Sequence, residues 1–132
     1  MNKQDIIARL EALNLPRNDY WLITGTAMVM YGLRDITHDI DMGCTSVLAD
    51  ALAAQGYPCT VTKDGRRKIV IGEDIEIFEG WLCDTVQLVE NIPVISLKGL
   101  TEMKRTLGRD KDLRDIALIE AYLNRNSCEE LS

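Results

Sequence analysis

The stretch "YGLRDITHDIDMG", residues 31–43, holds two aspartates, Asp39 and Asp41, with Ile40 between them. Side chains alternate faces along a strand, so in an extended segment both carboxylates point the same way. Side by side, each disfavours ionisation of the other. A divalent cation converts that repulsion into shared attraction. Mg²⁺ or Mn²⁺ takes one or two protein carboxylates together with phosphate oxygens and waters. The plainer alternative is a pair solvated on an open strand, the commoner fate of a bare D-x-D.

The neighbouring residues favour the cation. Fourteen residues before Asp39 stands Gly25, between the apolar run "DYWLIT" and the run "TAMVMYGL". The first reads as a short buried strand, the second as a short helix with Thr26 as its N-cap. Glycine lets a phosphate approach the backbone, and a helix start offers free N–H groups. A strand, a glycine turn, a short helix and a D-x-D strand bring a phosphate cradle and metal carboxylates together.

The other elements that must hold these residues are legible from periodicity. Ile6, Ile7, Leu10 and Leu13 recur at helical spacing, and Pro16 is expected to end that helix. "THDIDMGC" reads as a strand and "SVLADALAAQG" as a helix, opened by Ser46 and stopped by Gly56. Residues 57–79 read as three antiparallel strands, with Asp64-Gly65 as a type I′ hairpin signal and Gly72-Glu73 as a second tight turn. "DTVQLVEN" reads as a short helix or turn, and "IPVISL" as an edge strand tolerant of Pro93. The tail is helical with a break near Gly108. The expected class is α/β (α+β): one domain over residues 1–132, a small mixed β-sheet at about 20–96, helices mainly on one face, and C-terminal helices at about 97–125.

Bulk properties narrow the function classes. The 132 residues are 46% hydrophobic, enough for a packed core, and no run is long enough to span a membrane. The N-terminal acids and bases are unlike a signal peptide, which suggests a cytoplasmic protein. A net charge of −6 argues against broad nucleic-acid binding. Cys44, Cys59, Cys83 and Cys128 are widely spaced, which suggests reduced, mostly buried thiols rather than a zinc site.

"ITGTAMVMYGLRDITHDIDMG" resembles the signature of the polymerase-β-type nucleotidyltransferase superfamily, in which a hydrophobic residue, Gly and a small residue precede a short helix and a D-h-D strand. The variant here is similar to the bacterial antibiotic (aminoglycoside and lincosamide) nucleotidyltransferases and to the nucleotidyltransferase-like toxins of toxin–antitoxin systems. "PVISLKGLTEMKRTLGRDKDLRDIALIEAYL" resembles the tail of small members. Where the family carries Gly-Gly or Gly-Ser, this chain has Gly25-Thr26.

The resemblance implies a nucleotidyltransferase-like fold, Mg²⁺ (or Mn²⁺), and transfer of a nucleoside monophosphate from an NTP, ATP foremost, to a hydroxyl acceptor with loss of pyrophosphate. It implies a third carboxylate. Glu76 is the choice in "GEDIEIFEG", because Ile75 and Ile77 alternate with it, and Asp74 is second. Asp39, Asp41 and Glu76 are then metal-binding and catalytic. Gly25, Thr26, Arg34, Thr37, Lys104 and Arg109 are nucleotide-binding, ahead of Lys98 and Lys111. Asp110, Asp112 and Asp115 are alternative partners for those tail cations. "KDGRRK" reads as a charged turn, His38 as buried or capping, and Trp21, Trp81 and Tyr57 as packing residues.

The acceptor is a small molecule, a tRNA or a protein. Antibiotic-modifying relatives are expected to carry a longer helical region than the forty or so residues after this sheet, so a homodimer is one way to complete an acceptor pocket. The rival readings are an NTP-binding or partner-binding module without transfer, and a purely structural domain with solvated acids.

Overall fold

The computed structural model describes the backbone of residues 1–131 and the side chains of residues 1–125. Helix α1 (Lys3–Leu13) opens with a reciprocal cap. The Asn2 side chain accepts from Asp5 N–H at 2.9 Å, and the Asp5 carboxylate accepts from Asn2 N–H at 3.0 Å. Its Ile6 and Leu10, four apart, are buried. Asn14 ends the helix in the left-handed region, two residues before Pro16.

Strand β1 (Tyr20–Leu22) is wholly buried and runs directly into α2 (Thr24–Met30). The N-cap of α2 is Ile23, without a side-chain bond, so the helix begins two residues before the expected Thr26 cap. Strand β2 (Ile40–Cys44) leads to α3 (Ser46–Ala54), whose cap is Thr45 rather than Ser46. Strands β3 (Cys59–Val61), β4 (Arg67–Ile71) and β5 (Ile75–Glu79) form the expected antiparallel meander. The β3–β4 connection is not the expected two-residue turn. Residues 62–66 form a loop closed by Thr62 N–H on the Arg66 carbonyl at 2.8 Å, and of Asp64 and Gly65 only Gly65 has positive φ.

"DTVQLVEN" is not a helix, and only its last two residues form a turn. Val86–Val89 form strand β6, joined to β7 (Ile92–Ile95) by Glu90 and Asn91, both at positive φ, the two-residue hairpin geometry. Strand β7 is not an edge. The seven-stranded order is β3-β4-β5-β2-β1-β7-β6, so β6 covers Pro93 on its outer side. Pairs β2–β5 and β1–β7 are parallel and the rest antiparallel, giving a mixed sheet. Helices α4 (Leu97–Leu107) and α5 (Asp110–Leu131) break at Gly108, a left-handed cap, as expected.

Alternation along β2 and β5 separates core from site. Ile40, Met42, Ile75 and Ile77 are fully buried, and α2 packs on β2 while α3 packs on β4. Asp41, Gly43, Glu76 and Phe78 take the opposite face. Of the cysteines, Cys44 is buried, Cys83 half-buried and Cys59 exposed, so burial is less general than expected; Cys128 lies outside the described side chains. No helix is long and apolar enough to cross a membrane among the described residues.

Arg67 of the charged hairpin ties three elements together. It bonds Glu79 on β5 at 2.6 Å and Asp50 on α3 at 2.8 Å. The Arg67 bond pulls the Glu79 carboxyl from 4.5 down to about 2. A carboxyl depressed on folding stabilises above its unfolded value and loses that contribution as pH falls toward the folded one. The stability gap between the parent and Arg67→Ala is therefore expected to be full above pH 4.5 and to shrink toward pH 2. Thermal melts across that range read it; a gap independent of pH refutes the assignment.

Candidate active site

Asp41 and Glu76 are directly opposite one another on the parallel strands β2 and β5, their side chains on one face. They line a cavity of about 620 Å³ that also takes in Asp39, Gly25, Arg34, Thr37 and the α4–α5 side chains Lys104, Arg109 and Lys111. The three carboxylates thus open onto one space. Asp39 gets there differently from the sequence reading. Strand β2 starts at Ile40, and the Asp39 carbonyl accepts hydroxyl bonds from Thr26 and Thr37, each at 3.1 Å, instead of extending the sheet. Asp39 is exposed at the cavity mouth.

The irregular backbone also turns His38 outward. Expected to be buried or capping, it is exposed and lines the cavity, because residues 37–39 are not a strand.

Asp41 has an unusual environment. Burial raises its carboxyl pKa, the Thr24 hydroxyl bond at 2.7 Å opposes that, Glu76 and Asp39 push it further up, and Lys111 draws it back. A carboxyl so raised is short of positive charge around it. Among the described residues, Glu76 has a single, loose ion pair, with Lys68 at 3.5 Å, both partly exposed. Asp74, the second choice for the third carboxylate, is instead bonded to Arg9 of α1 at 2.8 Å and lies outside the cavity. Among the described residues, no three His, Cys, Asp or Glu side chains already stand close enough to share one metal ion.

Thr26 does not face the cavity. Its fully buried hydroxyl donates to the Asp39 carbonyl and accepts from Asp41 N–H at 2.9 Å, so it fixes the start of β2. Thr24 does the cavity-side work instead, and sequence reasoning missed it. It has φ of 50°, a costly conformation for a β-branched residue, which aims its hydroxyl at Asp41. Nothing in a lone threonine beside a strand end signals that role. Thr24→Val is expected to raise the Asp41 pKa further, since the hydroxyl donates to the ionised form. The acid limb of any Asp41-dependent activity then moves to higher pH; an unmoved limb would contradict the contact.

The tail cations are largely committed to carboxylates. Lys104, 2% exposed, bonds Asp115 at 2.9 Å and stands 3.6 Å from Asp112. Arg109 bonds Asp112 at 2.6 Å. Burial lifts the Asp112 carboxyl, but the Arg109 bonds and the nearby Lys104 outweigh that and leave it below the ordinary range. Lys104 and Arg109 therefore line the cavity as members of internal pairs. Lys111 is exposed, lines the cavity and has no ion-pair partner among the described residues, whereas Lys98 lies elsewhere.

Gly25 allows a close approach: a Cβ there would meet Arg34 Nη1 at 2.7 Å. Part of the cavity wall is aromatic. Phe78 and Trp81 meet edge to face at 5.3 Å, and Trp21 Nε1 donates to the Trp81 carbonyl at 2.8 Å while its indole covers Gly43. Phe78 and Trp81 line the cavity beside Glu76; of the two, Trp81 was expected to serve as a packing residue.

No family model matches the chain, and no curated protein does. Solved structures do. The chain is similar to the lincosamide antibiotic adenylyltransferase LnuA, solved with lincomycin bound, at 16% identity and TM-score 0.54 over 89% of this chain and 93% of that one. It is similar to a Thermotoga maritima protein assigned to the nucleotidyltransferases, at 16% identity and TM-score 0.58 over 95% and 96%. It is also similar to ANT(2")-Ia in complex with adenylyl-2"-tobramycin, at 15% identity and TM-score 0.59 over 97% and 91%. The match spans nearly all of both antibiotic-modifying chains. What the chain shares with all three is the nucleotidyltransferase fold.

Proposed function

We propose that the chain is a metal-dependent nucleotidyltransferase that moves a nucleoside monophosphate from an NTP, ATP foremost, to the hydroxyl of a small acceptor. The observation that carries this reading is the pairing of Asp41 with Glu76 across two parallel strands, in one cavity with Asp39 and the Gly25–Arg34 contact.

The donor set suits Mg²⁺: it is all oxygen, hard, and short of compensating charge at Asp41. The ion needs only one or two protein carboxylates, since triphosphate oxygens and waters complete its shell. One or two of Asp39, Asp41 and Glu76 would hold it, and when bound it would supply charge compensation at the α-phosphate. Thr24 keeps Asp41 aimed inward. Arg34 and Lys111 meet the triphosphate on the α5 side, and the acceptor lies against Glu76, Phe78 and Trp81. The acceptor oxygen attacks the α-phosphorus, Glu76 takes its proton, and the bond to the β-phosphate breaks so that pyrophosphate leaves with the electron pair. Positioning and charge account for most of the rate.

The neighbours' acceptors, a lincosamide and an aminoglycoside, and the chain's negative charge both favour a small hydroxylated molecule over RNA. Pyrophosphate release is therefore to be assayed with Mg²⁺, each of the four NTPs, and lincomycin, tobramycin, total tRNA or a protein extract. Release with either antibiotic is expected; release only with tRNA or protein reassigns the acceptor. NTP binding without release on any acceptor makes the chain a binding module, as in a toxin–antitoxin pair. Absence of NTP binding overturns the reading altogether.

A further inference from the structure

The α4–α5 pairs contain more than is needed to join two helices. Asp115, 5% exposed, receives cations from two separate elements: Arg34 Nη2 reaches its two oxygens at 2.9 and 2.7 Å, and Lys104 Nζ lies at 2.9 Å. Only Nη2 of Arg34 is engaged in these bonds; Nη1 and Nε have no acceptor among the described residues. Nη1 sits over Gly25, where a Cβ would meet it. A guanidinium is planar and rigid, so holding one nitrogen sets the direction of the others.

We infer that Asp115 is a positioning residue that holds the Arg34 guanidinium over Gly25 for the triphosphate; this rests on the nucleotidyltransferase reading. Lys104 anchors Asp115 from below, and Asp112 anchors Lys104, so the carboxylate that holds Arg34 is itself fixed. A buried, multiply paired carboxylate keeps its geometry where an exposed one would wander. The cleft thereby keeps a negative charge beside a site for a polyanion, so the positioning effect and the charge of Asp115 act on the nucleotide in opposite directions.

That opposition gives the test its sign. Asp115→Asn removes one negative charge from the cleft, and by Coulomb's law alone tightens ATP. If Asp115 positions Arg34, it weakens ATP instead. Calorimetry with ATP and Mg²⁺ is expected to show binding weakened by about 5–20-fold in Asp115→Asn, with KM raised and kcat little changed. In an Arg34→Ala background the same substitution is expected to change Kd by less than about twofold, because its effect runs through Arg34. Arg34→Lys keeps the net charge and sits at a partly exposed position, so it serves even if Asp115→Asn does not fold. It too is expected to lose about 5-fold or more, because an ammonium lacks the rigid fork.

Equal or tighter binding by Asp115→Asn, full additivity with Arg34→Ala, or parental affinity in Arg34→Lys overturns the inference while the function stands. Failure of the parent protein to bind ATP overturns both.

Discussion

Asp41→Asn is expected to reduce nucleotidyl transfer by at least about 10²–10³-fold, the scale on which removing one electrostatic contributor to a transition state is felt. Asp41 is the inner member of the acidic set, half-buried on β2, aimed by Thr24 and in register with Glu76. Its stability effect should have the opposite sign. A carboxyl whose folded pKa is raised stabilises the fold only while protonated, and loses that contribution as pH rises through the folded value. At neutral pH the ionised group is a liability, so the neutral amide is expected to melt at the same temperature or higher. The amide oxygen still accepts from Thr24. Adding Mg²⁺ with ATP should raise the melting temperature of the parent and leave the variant unmoved. Loss of activity accompanied by a lower melting temperature would mark Asp41 as a structural acid.

Gly99→Ala is the largest expected effect on folding, and helix propensity predicts its sign wrongly. Inside α4, alanine is intrinsically better than glycine by about 1 kcal/mol. Here a Cβ would run into the Cys83 backbone carbonyl. Overfilling a packed site costs about 1–3 kcal/mol, and more when the obstacle is backbone and no rotamer can yield. The first turn of α4 is held on both sides of that contact. Ser96 accepts from Gly99 N–H at 3.1 Å and donates to Asp84 at 2.7 Å. A net loss of about 3 kcal/mol in urea unfolding is expected; unchanged or increased stability would mean that α4 does not rest on Cys83. Displacing α4 also displaces Lys104, and with it Asp115, so ATP binding should weaken in the same variant.

What was legible in the sequence was whatever follows from neighbours along the chain. The strand-to-helix order around Gly25, the alternation that turns Glu76 away from Ile75 and Ile77, and the Gly108 break are all local, and the fold carries each of them, although α2 takes in Gly25 itself and Asp39 stands just outside β2. Short elements were less readable. Val86–Val89 has little polar alternation and a Glu-Asn turn without glycine, so its strand character comes from pairing with β7. Thr26 looked like a cap because threonine caps helices, yet its hydroxyl is taken by the Asp39 carbonyl and Asp41 N–H, thirteen and fifteen residues on.

The side-chain types and their period thus determined the architecture and the presence of an acidic cleft, because alternation and turn chemistry act over a few residues. Only the tertiary structure decided how the charges are allotted. Lys104 read as a phosphate ligand, with the tail aspartates as alternative partners, until α5 brings Asp115 against it; Arg109 pairs locally with Asp112 three residues on, whereas Arg34 is directed by a carboxylate 81 residues away. A charge is satisfied by whatever lies within a few ångströms in space, and separation along the chain carries almost no information about that distance.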